Sequence, residues 1–349
     1  MHESDAWYVE GRSRERRAGW LALLFLFPLA GCGGEPDDLP DEGGRDRTGA
    51  PQEQAPLPEG AQARSLLGEP LFPPSLSEEV RARRGEDLTR ALADLEAAPE
   101  DADAIIWAGR RYAYLGRYRE AIETFTRGIE LHPDDARLYR HRGHRFITVR
   151  ELDRAIADFR RAAELVEGEP DRVEPDGQPN ALGVPTSTLH FNIWYHYGLA
   201  HYLKGEFQEA ADRYRRCMAV SEHPDSKIAT AHWWYMTLRR LDREDEAFRL
   251  VRGLDLPALE EGVIESGSYL ALLRVYAGLE EPETFRSELR DGTLEGATLG
   301  YGIGNWYVYN GSAVTAREIF RDIVGDRSQW AAFGYIAAEA DLARMAEGG

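Results

Sequence analysis

The sequence predicts an all-α solenoid of antiparallel helix pairs with a capping helix at each end, and three observations carry that prediction. Residues recur at a period of 34, the recurring types are small or aromatic at fixed offsets, and the apolar residues between them follow a helical stripe. A unit of two helices cannot bury its own apolar face, so a period of this length reads as stacked hairpins whose ends need closing.

The chain opens on a basic stretch (Arg12, Arg14, Arg16, Arg17) that leads into the apolar run Ala18 to Ala30, 13 residues by count. A membrane-spanning helix needs ~20, so residues 1–31 predict a signal peptide. Leu29-Ala30-Gly31-Cys32 resembles the lipobox of bacterial lipoproteins. The resemblance implies that Cys32 becomes the mature N-terminus and carries lipid, palmitate included, so that a membrane of the cell envelope is one partner. Gly33 after the cysteine implies the outer membrane, by the sorting rule of enteric bacteria. Residues 32–74 are expected to form an acidic, disordered tether. From Gly33 to Gly60, Pro, Gly, Asp and Glu dominate, with Leu39 and Leu57 the only large apolar residues.

Residues 75–101 are expected to hold the first capping helix, opening on the capping box Ser75-x-x-Glu78. The repeats proper follow. Gly109, Tyr112, Ala121, Phe125 and Pro133 mark the first unit, and adding 34 gives Gly143, Phe146, Ala155 and Phe159 in the second, so units 1 and 2 span 102–169. A third unit (191–224) has Trp194, Tyr197, Gly198, Ala210 and Tyr214, displaced by 198 − 143 = 55, or 34 + 21, which leaves an insertion over 170–190. Two degenerate units fill 225–296, with helices over Thr230–Leu241, Arg243–Val251 and Glu260–Ala277 and a join at Asp242. Gly304, Tyr307, Gly311, Ala316 and Phe320 mark the last unit, and Ser328–Met345 closes the domain 297–349 as a second capping helix. The glycines of the first helices are expected to face the alanines of the second, and Gly116, Gly205 and Gly311 to turn each hairpin with φ > 0.

These residues, above all G-x₂-Y…A-x₃-F…P in unit 1, resemble the tetratricopeptide repeat, strongly over 102–169, 191–224 and 297–324 and weakly over 225–296. Leu189–His196 and Tyr301–Val308 also resemble stretches of uncharacterised exported proteins with such repeats. The resemblance implies a scaffold that binds a protein or peptide in its concave groove.

Composition excludes several classes. A formal charge of −19 repels nucleic acid. With Cys32 lipidated, only Cys217 remains, which the repeat assigns to a buried, inert thiol. No Walker loop, G-x-S-x-G elbow, H-E-x-x-H helix or C-x-x-C pair is present, so neither an enzyme nor a cofactor site is expected. His141 and His144 share a helix face but lie among arginines that would repel a cation, so no metal is expected.

In the third unit Trp194, Tyr197, Gly198 and His201 form the packing stripe, which turns Asn192, Tyr195 and Tyr202 elsewhere. In tetratricopeptide proteins those offsets line the concave face. Transferring the register adds Arg110, Arg137, Arg140 and His144 at one end, then His232 and Arg239, then Tyr301, Asn305 and Tyr309 at the other. The groove is therefore expected to be basic at one end, where a partner's acidic segment would bind, and aromatic at the other. The aromatic end leaves a second reading open, a solute or glycan receptor. The insertion is either a functional loop or a plain surface excursion. The sequence sets no oligomeric state.

Overall fold

In the computed structural model of the chain, the described residues are 56–285, 287 and 292–347. The expected signal peptide, Cys32 and the tether as far as residue 55 lie outside them. No helix among the described residues is long and apolar enough to cross a membrane.

Helix α1 (Glu78–Ala97) leads into the hairpins α2/α3 (Ala102–Tyr114, Tyr118–Leu131), α4/α5 (Ala136–Thr148, Leu152–Leu165), α6/α7 (Leu189–Lys204, Phe207–Val220) and α8/α9 (Pro224–Arg240, Glu244–Arg252). Shorter helices α10 (Leu256–Gly262) and α11 (Gly267–Tyr276) follow, then the hairpin α12/α13 (Leu294–Tyr309, Ala313–Gly325) and α14 (Phe333–Glu347). Successive helices pack on one another, except that α10 packs on α8 and α11 rather than on α9, to give an all-α solenoid.

Local chemistry explains the hairpins. Asp101 and Asp135, two residues after Pro99 and Pro133, cap α2 and α4 by accepting from the amides of Ala104 and Arg137. The turns close with φ > 0 at Gly116 (+74°), Gly205 (+80°) and Gly311 (+82°), and also at Arg150 (+67°) and Asp242 (+56°), which hold the same place in their hairpins without being glycine. A Cβ on Gly109, Gly198 or Gly304 would fall 2.4, 2.8 or 2.5 Å from the ring of Phe125, Tyr214 or Phe320, and one on Gly143 3.0 Å from Phe159. The glycine thus makes room for the ring sixteen residues on, not for the alanine at twelve as expected. The alanines are buried too, one turn before that ring.

Four expectations need correction. The tether does not extend to residue 74: β1 (Ala63–Arg64) pairs antiparallel with β2 (Pro70–Leu71), and Ala63 and Leu71 join the main core. Gln62 Oε1 accepts the Arg119 amide at 3.1 Å and the Phe72 carbonyl accepts Trp330 Nε1 at 2.7 Å, so polar contacts hold a segment poor in apolar residues. Ser77, not Ser75, caps α1, accepting from the Val80 amide. The helix expected over 260–277 breaks at 263–266, because the Asp225 carboxylate accepts the amides of Ile264 (3.0 Å), Glu265 (2.8 Å) and Ser266 (2.6 Å), which a continuous helix would have used. The closing helix starts at Phe333 rather than Ser328, after a 3₁₀ turn at Arg327–Gln329.

Candidate partner-binding face

On α6, α8 and α12 the predicted groove residues lie where the register put them, but under cover. Tyr202, Tyr301, Asn305 and His232 are at most 1% exposed, and Asn192, Tyr195 and Arg239 are also buried. Helix α14 covers the α6 and α12 residues, packing on α12 and α13 and reaching α6, and α11 covers His232 on α8. Helix α14 carries two carboxylates inward. Asp341 takes Arg240 Nη2 at 2.5 Å and Arg344 Nη2 at 2.7 Å, and lies 3.0 Å from Tyr301 Oη, itself 2.7 Å from Tyr202 Oη. Asn305 Nδ2 donates to Tyr202 Oη at 2.7 Å. Glu339 takes Arg150 Nε at 3.0 Å, while Arg150 Nη2 donates to the Trp330 carbonyl at 2.7 Å. His232 stacks on Tyr269 with centroids 4.5 Å apart, Arg239 lies 4.4 Å over the Tyr309 ring, and Tyr309 itself is half-buried. The open aromatic end expected from sequence is therefore corrected: burial of ring area favours a helix over water here, and the ring faces a sugar would stack on are covered.

At the basic end the insertion supplies the cover. Helix α6 begins at Leu189, capped by Thr188, and residues 173–178 run back across α2 and α4 as a strap. Glu174, 8% exposed, lies 3.1 Å from Arg140 Nε and 3.1 Å from His141 Nε2, and accepts from Asn192 Nδ2 at 3.0 Å. Arg110 Nη1 donates to the Pro175 carbonyl (2.8 Å), Arg111 Nη1 to the Gly177 carbonyl (3.1 Å) and Arg84 Nη2 to Gln178 Oε1 (3.2 Å). Burial alone would raise the Glu174 carboxyl, but Arg140 and His141 beside it hold it well below the usual carboxylate range. Burial, aided by Arg140, pulls His141 down to about 3.

The structure brings Arg110, Arg140 and His144 to one wall but turns Arg137 to the edge, where it pairs with Asp135 at 2.5 Å and with Asp103. The His144 ring lies 4.4 Å from that of His196 and 5.4 Å from that of Phe333. The sequence reading missed three groups on this wall. Glu174 could not be found by periodicity, since it sits in the insertion. Arg111 lies one place beyond the predicted Arg110. Arg145 lies one place beyond His144, half-buried with its guanidinium 5.7 Å over the Tyr118 ring. It has neither a carboxylate nor a hydrogen-bond acceptor among the described residues, and burial pulls it down to about 10.

On this face a mouth of about 290 Å³ stays open, lined by His144, Tyr269 and Phe333 with Ser266, Ser268, Glu265, Glu295 and Thr298 around them. Among the described residues no group of three His, Cys, Asp or Glu could hold a metal ion. Cys217 is buried beside Thr230 Oγ1 (3.1 Å), and burial pushes its thiol up to about 12.

Residues 102–135 match the family model described as "Tetratricopeptide repeat". The tetratricopeptide repeat-containing protein trd-1 of Caenorhabditis elegans is 29% identical over 143 residues, which cover 41% of this chain. The chain spans 14% of the length of that curated relative. Among solved structures, YrrB, a TPR protein with an unusual peptide-binding site, aligns with 74% of this chain and 98% of its own at 15% identity and a TM-score of 0.39. A tetratricopeptide repeat protein from Parabacteroides merdae aligns with 73% of this chain and 98% of its own at 13% identity and 0.40, and yeast Tom70 with 78% and 62% at 11% and 0.36.

Proposed function

We propose that this solenoid of tetratricopeptide repeats is a non-catalytic scaffold that holds a protein partner at the mouth of its concave face, anchored to a bacterial envelope membrane through lipid on Cys32. One observation carries the binding part: between α14 and the helices it packs on, an opening of about 290 Å³ brings the groove residue His144 together with Tyr269 and Phe333. An opening of that size receives a side chain or a chain end rather than a helix laid along the groove. Its lining, hydroxyls of Ser266, Ser268 and Thr298 around the Tyr269 and Phe333 rings, offers both hydrogen bonds and apolar contact. The anchor rests on Leu29-Ala30-Gly31-Cys32 behind the charged leader.

Two experiments test the parts separately. A photo-crosslinking residue at Ser268 is expected to trap a partner in native envelopes, whereas the same residue at exposed Arg321 is not; equal trapping at both sites ends the mouth reading. Cys32→Ser is expected to abolish uptake of labelled palmitate and leave an unprocessed precursor, and equal labelling ends the anchor reading.

A further inference from the structure

The strap shows what the wall of α2 and α4 recognises. An extended backbone crosses it, two carbonyls take Arg110 and Arg111, and one carboxylate is held by Arg140, His141 and Asn192. The contact is close at Gly177, where a Cβ would fall 1.9 Å from Tyr114 Oη and 2.6 Å from Arg110 Nη2, so a larger residue there would have to displace both side-chain ends or lift the backbone. Beyond the strap, Arg145 remains on the same wall with no anion among the described residues. The wall thus carries more positive charge than its present cover neutralises.

We infer that the α2–α4 wall is an exchangeable docking surface for an extended acidic segment of a partner protein, which takes the place of residues 173–178. This rests on the scaffold reading and deepens it by naming the partner's chemistry. A tethered strap competes at an effective concentration in the millimolar range, so a partner needs a contact the strap does not make. A second carboxylate on Arg145 supplies it, since guanidinium pairs carboxylate by charge-assisted hydrogen bonds. The strap in turn keeps the Arg140 guanidinium and the buried His141 ring paired until a partner arrives. Its outer side faces solvent, with Val173 60% exposed, and the Val173–Thr188 bridge leaves it attached at one end when it lifts.

The test uses the full chain and two labelled probes: a copy of residues 171–179, and a nine-residue oligoglutamate. Gly177→Val lifts the strap without substituting a wall residue and is expected to tighten binding of both probes about tenfold over wild type, by removing the tethered competitor. In that background Arg145→Gln is expected to weaken oligoglutamate about fivefold, a lost charge-assisted bond, and to leave the copied segment unchanged. Equal binding of both probes by wild type and Gly177→Val overturns the proposal. Because Gly177→Val could disturb the fold, hydrogen exchange on wild type gives an independent reading. Excess oligoglutamate is expected to speed exchange at the amides of Glu174, Asp176 and Gln178, and no change there also overturns it. If the probes fail while the Ser268 crosslink succeeds, the scaffold reading stands without this surface. If the probes bind and no crosslink forms, the surface stands and the mouth reading falls.

Discussion

Residues at the same register positions along the concave face meet two different covers. On α2 and α4 the cover is an extended strap, and Arg110, Arg140 and Arg145 beneath it stay partly hydrated. On α6 and α12 it is helix α14, and Tyr202 and Tyr301 beneath it are dry, while His232 on α8 lies under the Tyr269 and Tyr276 rings of α11. The chemistry of each stretch selects its cover. Guanidinium groups need carbonyl and carboxylate acceptors, which an extended chain presents freely. Aromatic rings gain from buried area, which the packed face of a helix supplies better. A cover held by polar contacts at its edge can lift off locally, whereas one held by ring burial leaves only with the fold.

Acid is expected to have the largest effect, and it reaches both regions. Burial pulls His141, His196 and His232 from the ordinary 6.5 to about 3. Between those values the unfolded chain binds protons that the folded chain refuses. Stability is therefore full above 6.5 and falls as pH drops through the window, by ~1.4 kcal/mol per histidine per pH unit, or ~4 for the three. Glu174, held low, adds a loss in the same direction, beginning as pH falls through about 4.3. Urea midpoints at pH 7.5, 6 and 5 check this, and a flat profile contradicts the burial of these rings.

Glu339→Gln separates the two covers. It leaves Arg150 buried without its carboxylate, and removing one partner of such a pair costs ~3–5 kcal/mol. Glu174→Gln breaks an equally short contact in the strap, but there the strap can open and rehydrate Arg140, so the loss is capped by the cost of local opening, on the order of 1–2 kcal/mol. Thermal melts of the two variants compare them directly. Equal losses would mean that the strap is as permanent as α14.

Glycine packing separates the regions more finely. At Gly304 a Cβ would fall 2.5 Å from Phe320, under the dry end, and overpacking costs ~1–3 kcal/mol. At Gly143 the distance to Phe159 is 3.0 Å, and the ~1 kcal/mol by which alanine favours a helix over glycine offsets a mild clash. Gly304→Ala is expected to lower the melting temperature and Gly143→Ala to leave it nearly unchanged. Reversed outcomes would show that room for the ring does not decide the glycines.

The fold was legible where a residue's task is local and repeated. Gly116, Gly205 and Gly311 announce turns because positive φ suits glycine, and Gly109 with Phe125 recurs sixteen apart in four units because every hairpin solves the same packing problem. The site was legible only as a register. The spacing of Tyr202 and Tyr301 gave their face correctly, but their cover depends on Asp341, 101 residues from Arg240, and on Glu339, 189 from Arg150. No periodicity reports a pair at that separation. Glu174 was hidden for the same reason, since an insertion breaks the repeat that would have assigned it a face. The hairpin at 63–71 was hidden by composition, because it is held by Gln62 and the Phe72 carbonyl rather than by an apolar run.

The smallest effect expected, at Asp242, belongs to a pair whose opposite signs divide the two regions most sharply. Arg150 and Asp242 hold the same turn position with φ of +67° and +56°, a conformation that costs an L-residue ~1–2 kcal/mol. At Asp242 the side chain is exposed and nothing compensates, so Asp242→Gly is expected to stabilise the chain by up to ~1 kcal/mol once the added entropy of an unfolded glycine is subtracted. At Arg150 the same relief is available, but the side chain spans from its turn to Glu339 and the Trp330 carbonyl, joining the basic end to the helix that covers the aromatic one. Arg150→Gly strands Glu339 and is expected to destabilise by ~2–4 kcal/mol, the pair's ~3–5 less the strain recovered. Denaturant midpoints of the two glycine variants decide it. If both rise, the strain at Arg150 has no compensation in the closure, and α14 is held by its ring contacts alone.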